Sequence, residues 1–379
     1  MSMNVLVVAS RFPWPAHSGD RLRTAIWLDA LAPHANVALV APPGVVPADA
    51  PRIRFHPARR SFANGMRALT RVVAQRLPFT SLLTAAFDWR DAIARARRDV
   101  GSFDATVVLL SRLDPWVRTH IEGLRVLDAI DSLERNTSER ARSASLTAPL
   151  WRIEASRIAR AEEDASRAYD RVIVVAEEEA EELHATAISN GVMIRPLEQK
   201  PRRYDFAFWG RLAYFANADA ARMLIHEIWP RIRAQEPNAT MVIGGANAPK
   251  DIARDAERAG ITLITPVGNM PAFARDAKIA LVPMRFGTGQ SSKMLEAAEA
   301  GCAIVSTTHA MRGLATLARE AVLADDATSL ANEAVALLRD DARRANVAAT
   351  LRRTVEEHYS RRVTNEQLLA VVQRGRVAA

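Results

Sequence analysis

Short apolar runs alternate with longer amphipathic segments along the whole chain. The first run, residues 3–9, has apolar side chains at successive positions, which is typical of a strand buried on both faces of a parallel sheet. A helix predicted over 21–32 and a second strand predicted over 36–41 follow it. The alternation begins again with a strand at 204–209. This order of strand and helix predicts an α/β fold built from doubly wound sheets.

The remaining elements follow the same pattern, with proline and glycine between them. Further strands are predicted at 104–110, 125–130, 171–176, 239–244, 262–266, 279–284 and 302–306. Helices are predicted at 80–98, 147–168, 177–183, 217–234, 250–258, 327–339, 341–357 and 363–376. Residues 194–203 have the proline and charge of a linker. A chain of 379 residues then divides into domains at 1–198 and 199–357, each large enough for its own core.

A glycine-containing loop follows the strand predicted at 279–284. Its residues 286–292, FGTGQSS, lead into a helix that begins at Ser291 or Ser292 and carries Lys293 and Glu296. A strand, a glycine loop and a helix N-terminus together form an anion site, because free backbone N–H groups face the ligand. The helix dipole disfavours a cation in the first turn, so Lys293 requires an anionic partner. An ordinary βαβ unit with a solvated lysine fits the spacing equally well.

The net charge of +8 adds candidate partners to this fold. A basic balance points to nucleic acid, anionic lipid or phosphorylated substrates. No zinc-finger spacing or RNP-type aromatic motif is present, so no nucleic-acid partner is predicted. The one cysteine, Cys302, lies in an apolar strand, which predicts a buried thiol and a reducing compartment. No apolar run has the length of a membrane span, and residues 1–10 do not resemble a signal peptide, so a cytoplasmic protein is predicted.

Residues 52–76 favour a peripheral contact with the inner membrane. The stretch contains seven arginines and no acidic residue, and from about Phe62 its apolar spacing predicts an amphipathic basic helix. A solvated arginine face would explain any single arginine as well. The candidates for contact with the acceptor or with an anionic membrane are Arg59, Arg60, Arg67 and Arg71.

The segment 279–306 resembles the donor-site segment of retaining GT-B glycosyltransferases of family 4, also called glycosyl transferases group 1. Residues 296–301, EAAEAG, match the second half of the family pattern, whereas its first glutamate position falls on Thr288. A subgroup associated with exopolysaccharide synthesis has instead a Gly-x-Gly-x-x-x-Lys-x-x-Glu form. The residues that fit this form are Gly287, Gly289, Lys293 and Glu296.

The resemblance extends over nearly the whole chain. Residues 210–212, GRL, resemble the motif whose arginine, here Arg211, binds the donor diphosphate. The family's lysine six residues later is Asn217 here, and Lys293 is the candidate to replace it. The resemblance implies that Glu296 holds the ribose hydroxyls. The other donor-binding residues that it implies are Gly19, Val267, Gly287, Thr288, Gly289 and Gln290.

The first domain supplies candidates for the acceptor side. Gly19 lies in the loop after the first strand with His17 beside it, although a turn capped by Asp20 explains this loop equally well. Asp131 follows the strand at 125–130 and is the candidate for orienting the acceptor or acting as a base. A carboxylate in this place also suits helix capping.

The resemblance implies two Rossmann-like domains that face each other across a cleft, with 358–379 packing back on the first. The implied reaction moves a sugar from a UDP- or GDP-linked donor to a hydroxyl of a lipid-linked glycan, with retention, in the synthesis of exopolysaccharide, capsule or another cell-surface glycan. Asp131, Arg211 and Lys293 would be catalytic. Neither a cofactor nor a metal is expected, because no Asp-x-Asp motif stands in a suitable loop. The alternatives are a GT-B sugar-nucleotide epimerase and a non-enzymatic basic binding module.

Overall fold

The structure is a computed structural model. It describes residues 3–16, 18–143, 147–197, 200–287 and 289–373. The chain forms two compact units, the first made of Met1–Asn190 with Thr364–Ala379 and the second of Gly191–Val363. The division therefore falls at the Asn190-Gly191 turn. The domain boundary that the sequence suggests, between residues 198 and 199, lies outside the described residues.

The first unit is built on a seven-stranded parallel sheet with the order β3-β2-β1-β4-β5-β6-β7. The chain starts in the middle of the sheet at β1, proceeds to one edge, and returns through β4 to the other edge. The side chains of β1 and β4 are apolar except at Asn4 and Thr106, and all but Asn4 are buried, as expected for central strands covered on both faces. The strands are β1 Met3–Ala9, β2 Ala35–Ala41, β3 Arg54–Pro57, β4 Ala105–Leu109, β5 Leu124–Ile130, β6 Arg171–Val174 and β7 Thr186–Ala187.

Helices cover both faces of this sheet. They are α1 Gly19–Leu31, α2 Phe62–Ala74, α3 Leu82–Ala85, α4 Trp89–Val100, α5 Asp114–Val117, α6 Leu133–Ser143, α7 Ala148–Ala168 and α8 Glu177–Glu182. The single helix predicted at 80–98 is wrong, because the Asp88 carboxylate accepts the Asp91 N–H and begins α4 as a separate helix. Asp20 is not the N-cap of α1. Ser18 occupies that position, and its hydroxyl donates to the Asp20 carboxylate at 2.6 Å.

A buried ion pair fixes α1 against the sheet. The Nε atom of Arg23 and the Nε1 atom of Trp27 both donate to Oδ2 of Asp128, each at 2.6 Å. Arg23 also donates to the carbonyl oxygen of Ser189 at 3.2 Å. The side chains of Arg23 and Asp128 are fully buried, so removing either one would leave an uncompensated charge in the core. This pair therefore holds α1 against β5, and the bond to Ser189 also holds α1 against the chain just before Asn190, where the first segment of the unit ends.

The second unit contains a six-stranded parallel sheet with the order β10-β9-β8-β11-β12-β13. Its strands are β8 Tyr204–Trp209, β9 Met241–Gly244, β10 Thr262–Ile264, β11 Ala277–Val282, β12 Ala303–Ser306 and β13 Val322–Leu323. Its helices are α9 Phe215–Met223, α10 Trp229–Gln235, α11 Lys250–Arg258, α12 Met270–Arg275, α13 Ser292–Glu299, α14 Ala315–Ala318, α15 Ala327–Arg339 and α16 Asp341–His358. A π-helical turn, Leu224–Ile228, joins α9 to α10 within the segment that was predicted as one helix.

The last helix, α17 Arg361–Gln373, passes from the second unit into the first. Its side chains Leu368, Val371 and Val372 join the apolar cluster beneath β1 and β4. The Arg171 guanidinium donates to the Val371 carbonyl oxygen at 2.6 Å. The C-terminal helix thus packs on the first unit, as the resemblance implies. Among the helices of the described residues, none is both long and apolar enough to cross a membrane.

Two glycines bring the ends of β8 and β9 into unusually close contact. Gly210 and Gly245 have φ values of +152° and +153°, and the Gly210 N–H donates to the Gly244 carbonyl oxygen at 3.0 Å. A Cβ atom at Gly245 would lie 1.7 Å from the Gly210 carbonyl oxygen. Only glycine satisfies both the backbone conformation and the spacing. This contact fixes the position of the loop that carries Arg211.

We expect Gly245→Ala to lower the free energy of unfolding of the second unit by about 3 kcal/mol, because backbone strain and overpacking add. Gly268→Ala is the matched control, since a Cβ there would meet nothing within 4 Å and should change stability by less than about 1 kcal/mol. Urea denaturation followed by tryptophan fluorescence measures both. Equal stability of the two variants would contradict the proposed backbone constraint.

Candidate functional site

The candidate residues of the second unit gather at the carboxyl edge of its sheet. β8 and β11 are parallel neighbours, so the loops that follow them leave the sheet at the same edge. The loop after β8 carries Arg211, and the loop after β11 leads through Gly287 and Gly289 into α13. In open α/β sheets this edge is where ligands bind, because loops and helix N-termini meet there.

Arg211 is exposed, and it is held in place through its backbone. Its carbonyl oxygen accepts hydrogen bonds from the Tyr214 N–H at 2.9 Å and from Nδ2 of Asn217 at 3.1 Å. Within the described ranges the Arg211 guanidinium forms no ion pair. A fixed backbone with an exposed planar cation suits a ligand that offers paired phosphate oxygens.

Lys293 is a buried cation, with 8% of the residue exposed. Its Nζ atom donates to Oδ1 of Asn217 at 2.7 Å, lies 2.9 Å from Sδ of Met284, and sits 5.2 Å from the centre of the Phe208 ring. Burial lowers the pKa of Lys293 to about 8, although the negative charge of Glu296 opposes the shift. In the family pattern a lysine stands at the position of Asn217. The structure places the Lys293 ammonium in contact with the Asn217 side chain.

Glu296 lies one turn further along α13 and is partly buried. The indole Nε1–H of Trp209 donates to Oε2 of Glu296 at 2.8 Å. Trp209 directly precedes Gly210, so one side chain connects the glutamate to the loop of Arg211. The sequence analysis did not identify this contact, because Trp209 stands in an apolar strand and is indistinguishable there from a core residue.

The loop before α13 adopts the conformations that its glycines permit. Gly287 and Gly289 have φ values of +122° and +70°, in the left-handed region. Nε2 of His309 lies 3.0 Å from the Gly287 carbonyl oxygen, and Nε2 of Gln290 donates to the Gly313 carbonyl oxygen at 2.9 Å. Gln290 and His309 therefore anchor the loop to the segment after β12. Thr288 lies outside the described residues.

An anion site at a helix N-terminus requires free backbone N–H groups, and in the part of the chain that the structure describes the start of α13 leaves its N–H groups without a bond to the cap side chain. Ser291 is its N-cap residue, as the sequence predicts, and within the described chain the Ser291 side chain makes no capping hydrogen bond. The positive end of the helix therefore faces the loop without a local acceptor from the cap residue. Val267 lies near the same edge, where its Cγ2 atom would be 3.0 Å from a Cβ at Gly244.

The predicted Gly19 is the first residue of α1 in the first unit. A Cβ atom there would meet nothing within 4 Å, so packing within the unit does not require glycine. His17, the neighbouring candidate, lies outside the described residues.

Several carboxylates are buried after β5 in the first unit, where the sequence predicts only Asp131. Burial and, to a smaller extent, the charges of Glu179 and Asp128 together raise the pKa of Asp131 to about 7, against the opposing charge of Arg23. Burial also raises the pKa of Glu162 to about 7. Glu162 accepts hydrogen bonds from the Leu133 N–H at 2.9 Å and the Ser132 hydroxyl at 3.2 Å. Glu162 had no sequence signal, because it lies among many charged residues of α7.

Backbone strain occurs at the same sheet edge. Leu110, directly after β4, has a φ of +76°, and Ile130, the last residue of β5, has a φ of +67°. A β-branched residue in the left-handed region is a genuine outlier that costs free energy. Such strain concentrates at functional sites, and here it flanks Asp131 and Glu162.

The predicted basic residues lie on the surface of the first unit. Arg59 and Arg60 are exposed before α2, and Arg67 and Arg71 are exposed on it. The Arg60 guanidinium lies 5.6 Å from the centre of the Phe87 ring, and that of Arg71 lies 5.3 Å from the Trp116 ring.

Across the described ranges, no group of three or more His, Cys, Asp or Glu side chains is placed to hold a metal ion. The predicted buried thiol is present. Cys302 is a free, fully buried cysteine whose pKa burial raises to about 11, and its Sγ donates to the Ala274 carbonyl oxygen.

Residues 203–340 match the family model described as Glycosyl transferases group 1. These residues include the loops of Arg211 and Gly287 and the whole of α13. No curated protein sequence matches the chain at a significant level.

Solved structures of similar fold match nearly the full length. TarM, which occurs in S. aureus, is 11% identical with a TM-score of 0.69, over 98% of this chain and 99% of that chain. HepE of Anabaena in complex with UDP-glucose is 12% identical with a TM-score of 0.65, over 98% and 100%. A glycosyltransferase of Rickettsia africae is 10% identical with a TM-score of 0.66, over 100% of both chains. The chain therefore has the two Rossmann-like domains of the GT-B glycosyltransferase fold, and residues 203–340 of its second unit are similar to the Glycosyl transferases group 1 family.

Proposed function

We propose that this protein transfers a sugar from a nucleotide-sugar donor, linked to UDP or GDP, to a hydroxyl group of an acceptor. One observation carries the proposal. Arg211, Lys293 and Glu296 come from separate positions in the sequence, and Asn217 and Trp209 connect them at the carboxyl edge of the second sheet. Two cations and a carboxylate in this arrangement match the chemistry of a nucleoside diphosphate, which offers phosphate oxygens and a ribose diol.

The two cations would act on the leaving group. When the bond between the sugar and the diphosphate breaks, negative charge develops on the phosphate oxygen that departs, and the acceptor hydroxyl gives up its proton as the new bond forms. A guanidinium can bind two phosphate oxygens in parallel, whereas the Lys293 ammonium acts as a point charge. Cations fixed before the reaction stabilise this charge without further rearrangement.

Burial makes Lys293 especially effective in this role. Desolvation disfavours its charged form, so an anionic ligand relieves a cost that the free protein bears. The same low-dielectric surroundings strengthen the attraction between the ammonium and a phosphate. The N-terminus of α13 adds backbone N–H groups and a positive dipole end on the same side.

Glu296 would accept hydrogen bonds from the ribose hydroxyls. Trp209 already binds Oε2, which fixes the carboxylate in one orientation before a ligand arrives. A carboxylate held this way discriminates for a diol over a single hydroxyl. Val267, at the Gly244 end of β9, is the proposed backbone contact for the base, and the Gly287–Gln290 loop is proposed to line the donor phosphates. The donor-binding role of Gly19 stays a prediction of the resemblance.

Asp131 is proposed to orient the acceptor hydroxyl in the first unit. Its pKa of about 7 places its proton equilibrium near neutral pH, which suits a group that accepts and releases a proton. The proposal also includes retention of configuration and no requirement for a metal, with Arg211 and Lys293 supplying the positive charge. A cytoplasmic role in the synthesis of exopolysaccharide, capsule or another cell-surface glycan rests on the resemblance of the Gly287 to Glu296 spacing.

The central prediction is that a UDP- or GDP-sugar raises the thermal unfolding midpoint by roughly 5–10 °C at 100 times its Kd, because the ligand binds only the native state. Nucleoside diphosphate should be released only when a hydroxyl acceptor is present, in buffer containing EDTA, and the proton NMR spectrum of the product should show the anomer of the donor. Conversion of the donor without acceptor would indicate an epimerase instead. The absence of any shift with all nucleotide sugars would overturn the proposal.

We expect Glu296→Gln to raise KM for the donor about tenfold or more and to change kcat little. The carboxylate accepts from the ribose in the ground state and in the transition state alike, so its loss weakens both equally. Glu333→Gln in α15 is a control on the surface of the same unit. A collapse of kcat at unchanged KM would mean that Glu296 acts on the transferred sugar.

A further prediction concerns pH and Lys293. Its pKa in the free protein is lowered to about 8, so the ammonium loses its charge as pH rises through 8. If the diphosphate holds the bound lysine protonated, the Kd for UDP should rise about tenfold between pH 7 and pH 9. Calorimetric titration of the wild type, Lys293→Met and Arg211→Ala measures this.

Lys293→Met should bind UDP weakly at every pH in this range, without the rise. Arg211→Ala should bind weakly too, but it should keep the tenfold rise, because a guanidinium is charged throughout. A wild-type Kd that stays constant from pH 7 to pH 9 would show that the lysine does not meet the diphosphate.

A further inference from the structure

Helix α2 exposes large apolar side chains that an ordinary surface helix would bury. Phe62 is 86% exposed, Met66 55%, Leu69 51% and Val73 65%. Their spacing of four, three and four residues places them on one stripe of the helix. The side chains of α2 that are buried are only Ala68 and Val72. The helix therefore turns its largest apolar side chains to solvent and packs on the unit through its smaller ones.

The apolar surface continues beyond α2. The Phe79–Ser81 turn exposes Phe79 at 45%, and the short helix α3 exposes Leu83 at 64%. The first turns of α7 expose Leu150 at 65% and Ile153 at 51%. Scattered single exposures are ordinary, but eight large apolar side chains on connected segments form a patch of the kind that marks an interaction surface.

Buried contacts hold these segments together. Both carboxylate oxygens of Glu154 accept backbone N–H groups, from Phe79 and from Thr80, each at 2.8 Å. Arg157 donates to the Leu77 carbonyl oxygen at 3.2 Å, and its guanidinium lies 4.3 Å from the centre of the Phe79 ring. Leu150 and Ile153 each lie one helical turn before these two anchors, on the same face. The start of α7 is thus fixed beside the turn that follows α2.

The carboxylate of Glu154 is buried, and the exposed charged side chains of α2 are all arginines. Residues 50–87 contain no aspartate or glutamate. Arg60 and Arg71 are stacked on aromatic rings at its border, and within the described residues the side chains of Arg59 and Arg67 make no ion pair. Arg54 differs from them, because it belongs to β3 and pairs with Asp99 at 3.0 Å.

We propose that α2, the Phe79–Ser81 turn with α3, and the start of α7 form a docking surface for an anionic phospholipid bilayer. Apolar side chains on one stripe, with arginines beside them and no acid, are the features by which an amphipathic helix lies in a membrane interface. The arginines would bind lipid phosphates while Phe62, Met66 and Leu69 enter the acyl boundary. A second copy of this chain is a poor occupant, since two equally basic surfaces repel each other. The inference is independent of Arg211, Lys293 and Glu296, which belong to the second unit.

Co-sedimentation of the full chain with vesicles tests this. Vesicles of phosphatidylcholine with 30% phosphatidylglycerol should bind the wild type at low salt, and pure phosphatidylcholine vesicles should bind it far more weakly. The double variant R59Q/R67Q should bind the anionic vesicles about 30-fold more weakly, at roughly fivefold for each arginine. The matched control R98Q/R258Q removes the same charge from two other exposed sites and should bind like the wild type.

A variant that keeps the net charge distinguishes insertion of apolar side chains into the bilayer from electrostatic attraction to the lipid headgroups. M66Q/L69Q should weaken binding to the anionic vesicles at least tenfold while every arginine is kept, because apolar insertion contributes to interfacial binding. All variants change exposed side chains, so their thermal midpoints and their Kd for UDP should equal those of the wild type. If UDP binding is absent from the wild type but vesicle binding follows this pattern, only the donor proposal fails.

Three results would overturn the docking surface. The first is equal binding of the wild type and R59Q/R67Q to anionic vesicles. The second is displacement of the protein from vesicles by millimolar inorganic phosphate at constant ionic strength, which would indicate a site for a soluble phosphate. The third is a wild-type dimer in sedimentation velocity that M66Q/L69Q converts to a monomer, which would identify the patch as a self-association interface.

Discussion

A parallel sheet delivers the carboxyl ends of all its strands to one edge, and both units of this protein depend on that constraint. Side chains far apart in sequence therefore meet at one edge in each unit without any dedicated framework. In the second unit the edge holds two cations and one carboxylate, Arg211, Lys293 and Glu296. In the first unit the corresponding edge after β5 holds the carboxyl groups of Asp131 and Glu162. The same architecture thus produces two sites of opposite electrostatic character.

At Lys293 a proposed role in binding coincides with a cost in stability. A buried ammonium whose closest oxygen partner is an amide, Oδ1 of Asn217, is incompletely compensated, and the lowered pKa is the expression of that cost. The family pattern that the chain resembles has a lysine at position 217, and we propose that Lys293 supplies that charge here. Asparagine at 217 then serves twice, since it binds the ammonium through Oδ1 and the Arg211 loop through Nδ2. A lysine at 217 would instead place two like charges in contact.

The sequence predicts the elements whose signal is local. The strand Tyr204–Trp209 and the helices at 250–258 and 327–339 have the predicted bounds, because apolar runs and caps define them within a few residues. Strands β3 and β7 were not predicted, since they are short edge strands stabilised by pairing with β2 and β6 rather than by their own composition. The sequence also did not predict the hydrogen bonds of Trp209 with Glu296 and of Ser132 with Glu162. A long-range hydrogen bond leaves no periodic pattern in either partner's surroundings.

The first unit separates structural carboxylates from those available for chemistry. Asp128 accepts hydrogen bonds from Arg23 and Trp27 at 2.6 Å each and is fully buried. Its negative charge therefore stabilises the packing of α1 on the sheet. Asp131, three residues later, forms no ion pair in the part of the chain that the structure describes, and burial with the charges of Glu179 and Asp128 raises its pKa to about 7 against the opposing charge of Arg23. Between them, Ile130 holds a left-handed backbone that costs free energy. Because Asp128 is fixed by the core and Ile130 turns the chain immediately after it, the Asp131 carboxyl group takes no part in the hydrogen bonds of Arg23 and Trp27 to Asp128, which is consistent with its proposed role toward the acceptor.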